Sequence, residues 1–263
     1  MLGGFDADAD ERLQYWFSEG FTDYYGRKFA LLSGEISATD FAALWNETFQ
    51  AYATSPQKSA PNTAIADGFW ADSDFRQLPY QRGAILAAKL DWKWRKSNKS
   101  LDGFMKMLRK QVRDDQSAGR SALPLDVRLE RAALSYGVTI AADIESHVKN
   151  GKPFKLPPDS FGGKFKLITV NAPNFYLGYD QKKSASEGAF VDVDPNGPAF
   201  RAGIREGMKR VRGEGGKSGD SQTPITWHVI DTNGVARAIT FKPEGKQQVA
   251  IQKLVVRSAP TSN

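Results

Sequence analysis

The sequence predicts an α+β protein in two parts: a helical half over residues 1–150 and a small β-rich half over 165–257, joined by a linker at 151–164. Three observations predict this. Apolar residues recur at helical spacing through the first half, whereas the second half breaks into short apolar runs separated by turn residues. Between them, residues 151–163 (GKPFKLPPDSFGG) hold three prolines and three glycines, the composition of a connecting segment.

The first helix is predicted from Leu13, Trp16, Phe17, Phe21 and Tyr24, which share one face. A second follows the capping-box pattern Ser37-Ala-Thr-Asp40 and buries Phe41, Leu44, Trp45, Phe49 and Tyr52. Residues 54–76 are polar and rich in Ser, Pro, Asn and Asp, and are expected to form a long loop. Pro79 suits a first helical turn, opening a helix from Tyr80 to about Lys96. Ser100 is placed to cap the next, which carries Leu101, Phe104, Met105, Leu108 and Val112. Shorter helices are expected over 125–136 and 140–150, the last stopped by Gly151. Strands are expected at 165–170, 175–179, 189–193, 225–230, 235–241 and 249–256, with one short helix over 198–204. Asn233-Gly234 and Glu244-Gly245 supply turns between the last three.

Composition narrows the function classes. The 263 residues are 40% hydrophobic and 25% charged, as in ordinary globular proteins. Cysteine is absent, which removes disulfides, thiolate metal sites and cysteine nucleophiles together. No apolar run approaches the length of about 18 residues that a membrane span needs. The first residues, Met-Leu-Gly-Gly-Phe-Asp-Ala-Asp, have neither the basic nor the apolar region of a secretory leader, and the compartment stays open. Lys89, Lys93, Arg95, Lys96 and Lys99, then Lys106, Arg109, Lys110 and Arg113, contribute to a net charge of +6. They fall on amphipathic helices and read as solvated faces; no nucleic-acid partner is expected.

Glu19 lies roughly 150° around the first helix from its apolar stripe. Its neighbours on that side, Tyr15, Gly26 and Ala30, are aromatic or small, as on a second contact face. Gly20, in mid-helix, costs about 1 kcal/mol relative to alanine and is tolerable where another backbone comes close. Trp16-Phe-Ser-Glu19-Gly-Phe-Thr-Asp-Tyr-Tyr25 resembles the Trp-x-Ser-Glu-Gly-x-Thr-x-Tyr-Tyr segment of the glycyl aminopeptidase family, gluzincin metallopeptidases with a C-terminal PDZ domain. Tyr80-Gln-Arg-Gly83 resembles a Tyr-x-Lys-Gly element of related enzymes, with Arg82 in place of the lysine. The resemblance implies that the helical half is the C-terminal subdomain of a gluzincin peptidase. It implies that Glu19 is a zinc ligand and that Tyr80 stabilises the tetrahedral intermediate.

His₂Glu is one ligand set of a catalytic zinc, which leaves a position open for water. In the family the two histidines come from an HExxH helix, and that motif does not occur in this chain. The chain reads as beginning just after it. The two histidines present, His147 near a helix end and His228 on a strand, read as structural or surface residues rather than substitutes. The full-length parent is thus expected to be a zinc metallo-aminopeptidase cleaving peptides after small N-terminal residues, glycine above all. This chain alone is expected to be inactive and to hold no cofactor.

In the β-rich half, Tyr176-Leu177-Gly178-Tyr179 resembles the carboxylate-binding loop of PDZ domains, and Gly197–Gly207 resembles their Gly-Pro-Ala-x-x-Ala-Gly turn and helix. The likeness implies that Leu177, Gly178 and Tyr179 present backbone N–H groups to a peptide C-terminus, beside a strand that pairs with the peptide. Residues 213–224, rich in Gly and Ser, read as a loop where the groove-lining helix would stand. The alternative function is therefore a non-catalytic scaffold that binds peptides through this module.

Overall fold

The computed structural model describes residues 10–71, 73–217 and 219–257. The N-terminal octapeptide read for a leader lies outside them. The described chain is a mixed helix and sheet protein of two compact units. One comprises residues 10–44, 59–168 and 254–257, the other 45–58 and 169–253.

In the first unit, α1 (Tyr15–Ser33), α3 (Asn62–Gly68), α4 (Ser73–Arg95), α5 (Leu101–Ser117), α6 (Leu125–Tyr136) and α7 (Ala141–Asp143) are helical, and α7 runs on into a π-helical turn over Ile144–Lys149. The predicted stripes point inward: Trp16, Phe17, Phe21 and Tyr24 of α1 are buried, as are Leu101, Phe104, Leu108 and Val112 of α5. Ser100 caps α5, its Oγ accepting the Gly103 N–H at 3.0 Å. The closest packing joins α1 to α4. A Cβ added to Gly83 would fall 1.8 Å from the Trp16 carbonyl oxygen, and one added to Gly20 would fall 2.4 Å from the Gly83 Cα. Only two glycines let the backbones approach so far, which accounts for Gly20 inside a helix.

The stretch expected to be a long loop contains α3, and α4 begins at Ser73 rather than after Pro79. Pro79 therefore sits inside a helix, where its ring removes one ladder bond. Leu78 is fully buried beside it, and the Phe75 ring packs where a Gly68 side chain would stand. These apolar anchors hold the extra turns, and the polar letters around them hide the start. Residues 151–164 are attached to this unit through the Trp92 indole N–H on Asp159 (2.9 Å) and Arg95 on the Ser160 carbonyl.

In the basic run Arg95, Lys96, Lys106, Arg109, Lys110 and Arg113 are exposed, as on a solvated face, and some members also have local partners. Lys89 and Lys93 both pair with Asp143 at 2.8 Å, Lys96 lies 3.9 Å over the Trp92 ring and Lys99 lies 4.9 Å over Tyr136. These four cations are engaged locally.

α2 (Ala38–Thr54) is divided between the units, residues 38–44 with the first and 45–54 with the second. It opens with the predicted reciprocal cap, Ser37 Oγ accepting the Asp40 N–H (3.1 Å) and Asp40 accepting the Ser37 N–H (3.0 Å). The second unit contains an antiparallel sheet in the order β2 (Lys209–Lys217), β3 (Asp220–Ile230), β4 (Ala236–Phe241), with Trp227 opposite Ile239. β1 (Phe165–Phe175) pairs with β5 (Glu244–Val256) in a two-stranded sheet. Phe190, Ile204, Ala199, Val229, Ile239 and Phe241 form the core, covered by α9 (Pro198–Ala202).

Three strand expectations are corrected here. The predicted strand 165–170 runs on to Phe175 as β1, and residues 176–179, expected to be strand, are not. Residues 189–193 form no strand beyond one bridge, Ala189 to Lys209, and α8 (Gln181–Glu187) precedes them. The segment 213–224, expected to be a loop, is the β2–β3 hairpin. Its first strand is exposed along nearly its whole length, so no inward–outward alternation marks it in the sequence.

Candidate functional site

The Gly20–Gly83 crossing determines what stands beside it. Glu19 precedes one glycine on α1, and Tyr80 lies three residues before the other on α4. Both side chains are half-buried. Burial raises the Tyr80 hydroxyl above its ordinary pKa, and the negative charges of Glu19 and then Asp23 raise it further. Tyr15, one turn before Glu19, is raised by burial first, then by Glu11 and Glu19. Tyr80 is thus a protonated donor at neutral pH, in the electrostatic reach of a carboxylate. Among the described residues neither the Glu19 nor the Tyr80 side chain makes a hydrogen bond or ion pair.

Asp23 completes the group one turn beyond Glu19. Burial raises its pKa, against the opposing charge of Arg27 at 3.6 Å. Sequence reasoning passed over it, because it fills a variable position of the motif. Its signal was the four-residue spacing Tyr15, Glu19, Asp23, which puts all three on one helical face.

The two histidines have partners of their own. His147 is buried in the π-helical turn, with Nδ1 2.9 Å from the Lys152 carbonyl and Nε2 2.6 Å from Lys89 Nζ. His228 Nε2 lies 2.7 Å from Glu214 on the β2–β3 sheet. Among the described residues no group of three His, Cys, Asp or Glu side chains could hold a metal ion. A catalytic zinc takes three protein ligands. The donor set around Glu19 does not fit one by itself.

In the second unit, Leu177 packs on the core and Tyr179 is buried edge-on against Phe190, with ring centroids 5.0 Å apart. Among the described residues the backbone N–H groups of Leu177, Gly178 and Tyr179 make no hydrogen bond. The expected adjoining strand is missing, since α8 starts at Gln181, and the β2–β3 hairpin occupies the sequence where a groove helix was sought. Among the described residues the loop keeps free donors, and neither the strand nor the helix expected beside them occurs at its expected sequence position.

Residues 5–85 match the family model for M61 glycyl aminopeptidase. The matched span contains both Glu19 and Tyr80. The fold is similar to the crystal structure of an aminopeptidase N family protein from Idiomarina loihiensis, with a TM-score of 0.54 and 16% identity. That likeness covers 94% of this chain and 47% of the other, so this chain spans about half its length. No curated protein matches. Among the described residues no helix is long and apolar enough to cross a membrane.

Proposed function

We propose that this chain is the C-terminal part of a zinc-dependent aminopeptidase that hydrolyses peptides after a small N-terminal residue, glycine above all. The reading is supported by one observation: near the Gly20–Gly83 crossing, the Tyr80 hydroxyl lies within electrostatic reach of the Glu19 carboxylate, within the span that matches the peptidase model. In this reading Glu19 is one metal ligand, and the histidine ligands and general base come from outside these 263 residues. Glu19 alone is fewer than the three protein ligands a catalytic zinc takes, so in this reading the chain by itself is inactive and carries no cofactor. The second unit, read as a PDZ-like module without groove walls, serves as a structural part. A peptide-binding scaffold built on residues 177–179 is the other reading, carried by their three free N–H groups.

Within the chain, Tyr80 contributes a neutral O–H donor whose raised pKa keeps its proton across the physiological range. Aimed at a developing oxyanion, such a donor is worth about 3 kcal/mol. In the complete enzyme Tyr80→Phe is therefore expected to lower kcat by about 10²–10³-fold, while leaving the thermal unfolding midpoint within error, because the hydroxyl makes no bond in the fold. An unchanged kcat would remove Tyr80 from the mechanism.

The coding sequence preceding residue 1 tests the reading itself. An in-frame HExxH a short distance upstream is expected; a stop codon and independent promoter there would overturn it. For the scaffold reading, peptides with free C-terminal carboxylates should bind in the micromolar range and lose affinity on amidation. Absence of binding across a varied library would remove it.

A further inference from the structure

Behind the Tyr80 segment lies a buried titratable cluster that the proposed reaction does not use. His147 sits in the π-helical turn, 8% exposed, with its ring 4.2 Å from that of Phe154. The Lys152 carbonyl only accepts, so Nδ1 carries the proton; the Lys89 ammonium only donates, so Nε2 supplies the lone pair. Both partners require a neutral ring. A protonated ring would set an N–H against an ammonium 2.6 Å away.

The surrounding charges do not relieve that conflict. From α4 come Lys89, Lys93 and Arg82; from α7 comes Asp143; Lys152 follows the turn. Glu145 and Lys149 belong to the turn itself, where Lys149 pairs with Asp126 of α6 at 2.8 Å. Asp143 is the carboxylate whose charge favours an imidazolium, and its two oxygens are already bridged by Lys89 and Lys93. Burial and the Lys89 charge accordingly depress the His147 pKa.

The turn also supports α4. Arg82, 1% exposed, donates to the Ala60 carbonyl at 2.8 Å and lies 3.5 Å from the Val148 carbonyl. It stands between Tyr80 and Gly83 in the sequence. Displacing residues 144–149 would withdraw one of its acceptors.

We propose that the Lys89–His147 contact is an acid-released latch: protonation of His147 separates the pair, opens the π-helical turn with residues 150–154, and loosens the support of the Tyr80 segment. The sign follows from linkage. The closed state holds His147 neutral, so the open state binds the proton more readily. Stability from the latch is fully present above the ordinary histidine value of about 6.5 and declines below it. The opening equilibrium should rise by up to about tenfold per pH unit until the depressed pKa is passed.

Hydrogen exchange of the 263-residue chain between pH 7.5 and 5.0, corrected for chemical exchange, tests this. Peptides covering 144–154 are expected to show that rise below pH 6.5, while α5 stays flat. His147→Gln keeps an acceptor for Lys89 and a donor for Lys152 without a titrating group, and should flatten the profile. Lys89→Met removes the opposing charge and should move the wild-type midpoint upward toward 6.5. A flat wild-type profile, an unaltered rise in His147→Gln, or an unmoved midpoint in Lys89→Met would overturn the latch. The Tyr80 ring resonances should shift with the same midpoint; no shift would overturn the link to Tyr80.

Discussion

Gly83→Ala is expected to destabilise the chain by about 3 kcal/mol, a large effect for one methyl group. The added Cβ would lie 1.8 Å from the Trp16 carbonyl oxygen and 2.8 Å from the Gly20 Cα. Both are backbone atoms of α1, so no rotamer change can make room and the helices must part. Intrinsic helix propensity argues the other way by about 1 kcal/mol and is outweighed. Gly26→Ala is the control, because a Cβ there meets nothing within 4 Å. It is expected to stabilise by up to about 1 kcal/mol. Urea unfolding of the two variants decides the matter. A neutral Gly83→Ala would mean that α1 and α4 do not cross at these glycines.

Asp91→Ala is expected to cost about 3–4 kcal/mol, since buried donors left unsatisfied cost about 1–3 kcal/mol each. Asp91 is 7% exposed, and its two oxygens accept the Tyr24 hydroxyl at 2.8 Å and the first N–H of α5, from Leu101, at 3.0 Å. Burial, then the Asp91 charge, hold the Tyr24 proton far above its ordinary pKa, so this hydroxyl remains a donor. One carboxylate thus ties α4 to α1 and to the start of α5. Tyr24→Phe alone should cost about 1–2 kcal/mol, and the double variant should cost less than the sum of the two. Strict additivity would show that the bond contributes nothing.

Much of the helical unit was legible in the sequence because its signals are local. The stripes of α1 and α5 and the caps at Ser37 and Ser100 each involve residues three or four apart. Gly20 was legible in a further sense: a costly residue in mid-helix implied a close backbone, and that backbone belongs to Gly83. The start of α4 was hidden because Ser73–Gln77 is polar apart from Phe75, whose packing against Gly68 no local pattern reveals. The β2 strand was hidden for a different reason. With glycines at 213, 215 and 216 and exposure along most of its length, it exists through pairing with β3. In the candidate site, Glu19 and Tyr80 were found by resemblance of their local motifs. Their relation depends on a crossing between residues 63 positions apart, Gly20 and Gly83, and Asp23 gained significance only from that crossing.

The most direct measurement is the zinc content and peptidase activity of the purified 263-residue chain after incubation with zinc. Glu19 offers one carboxylate, His147 and His228 are engaged elsewhere, and three protein ligands are needed for a catalytic site. The expected result is no stoichiometric zinc and no release of glycine from a glycyl arylamide. Stoichiometric zinc abolished by Glu19→Gln, or chelator-sensitive turnover by this chain alone, would contradict the proposal that Glu19 is one ligand of a set completed from outside the chain.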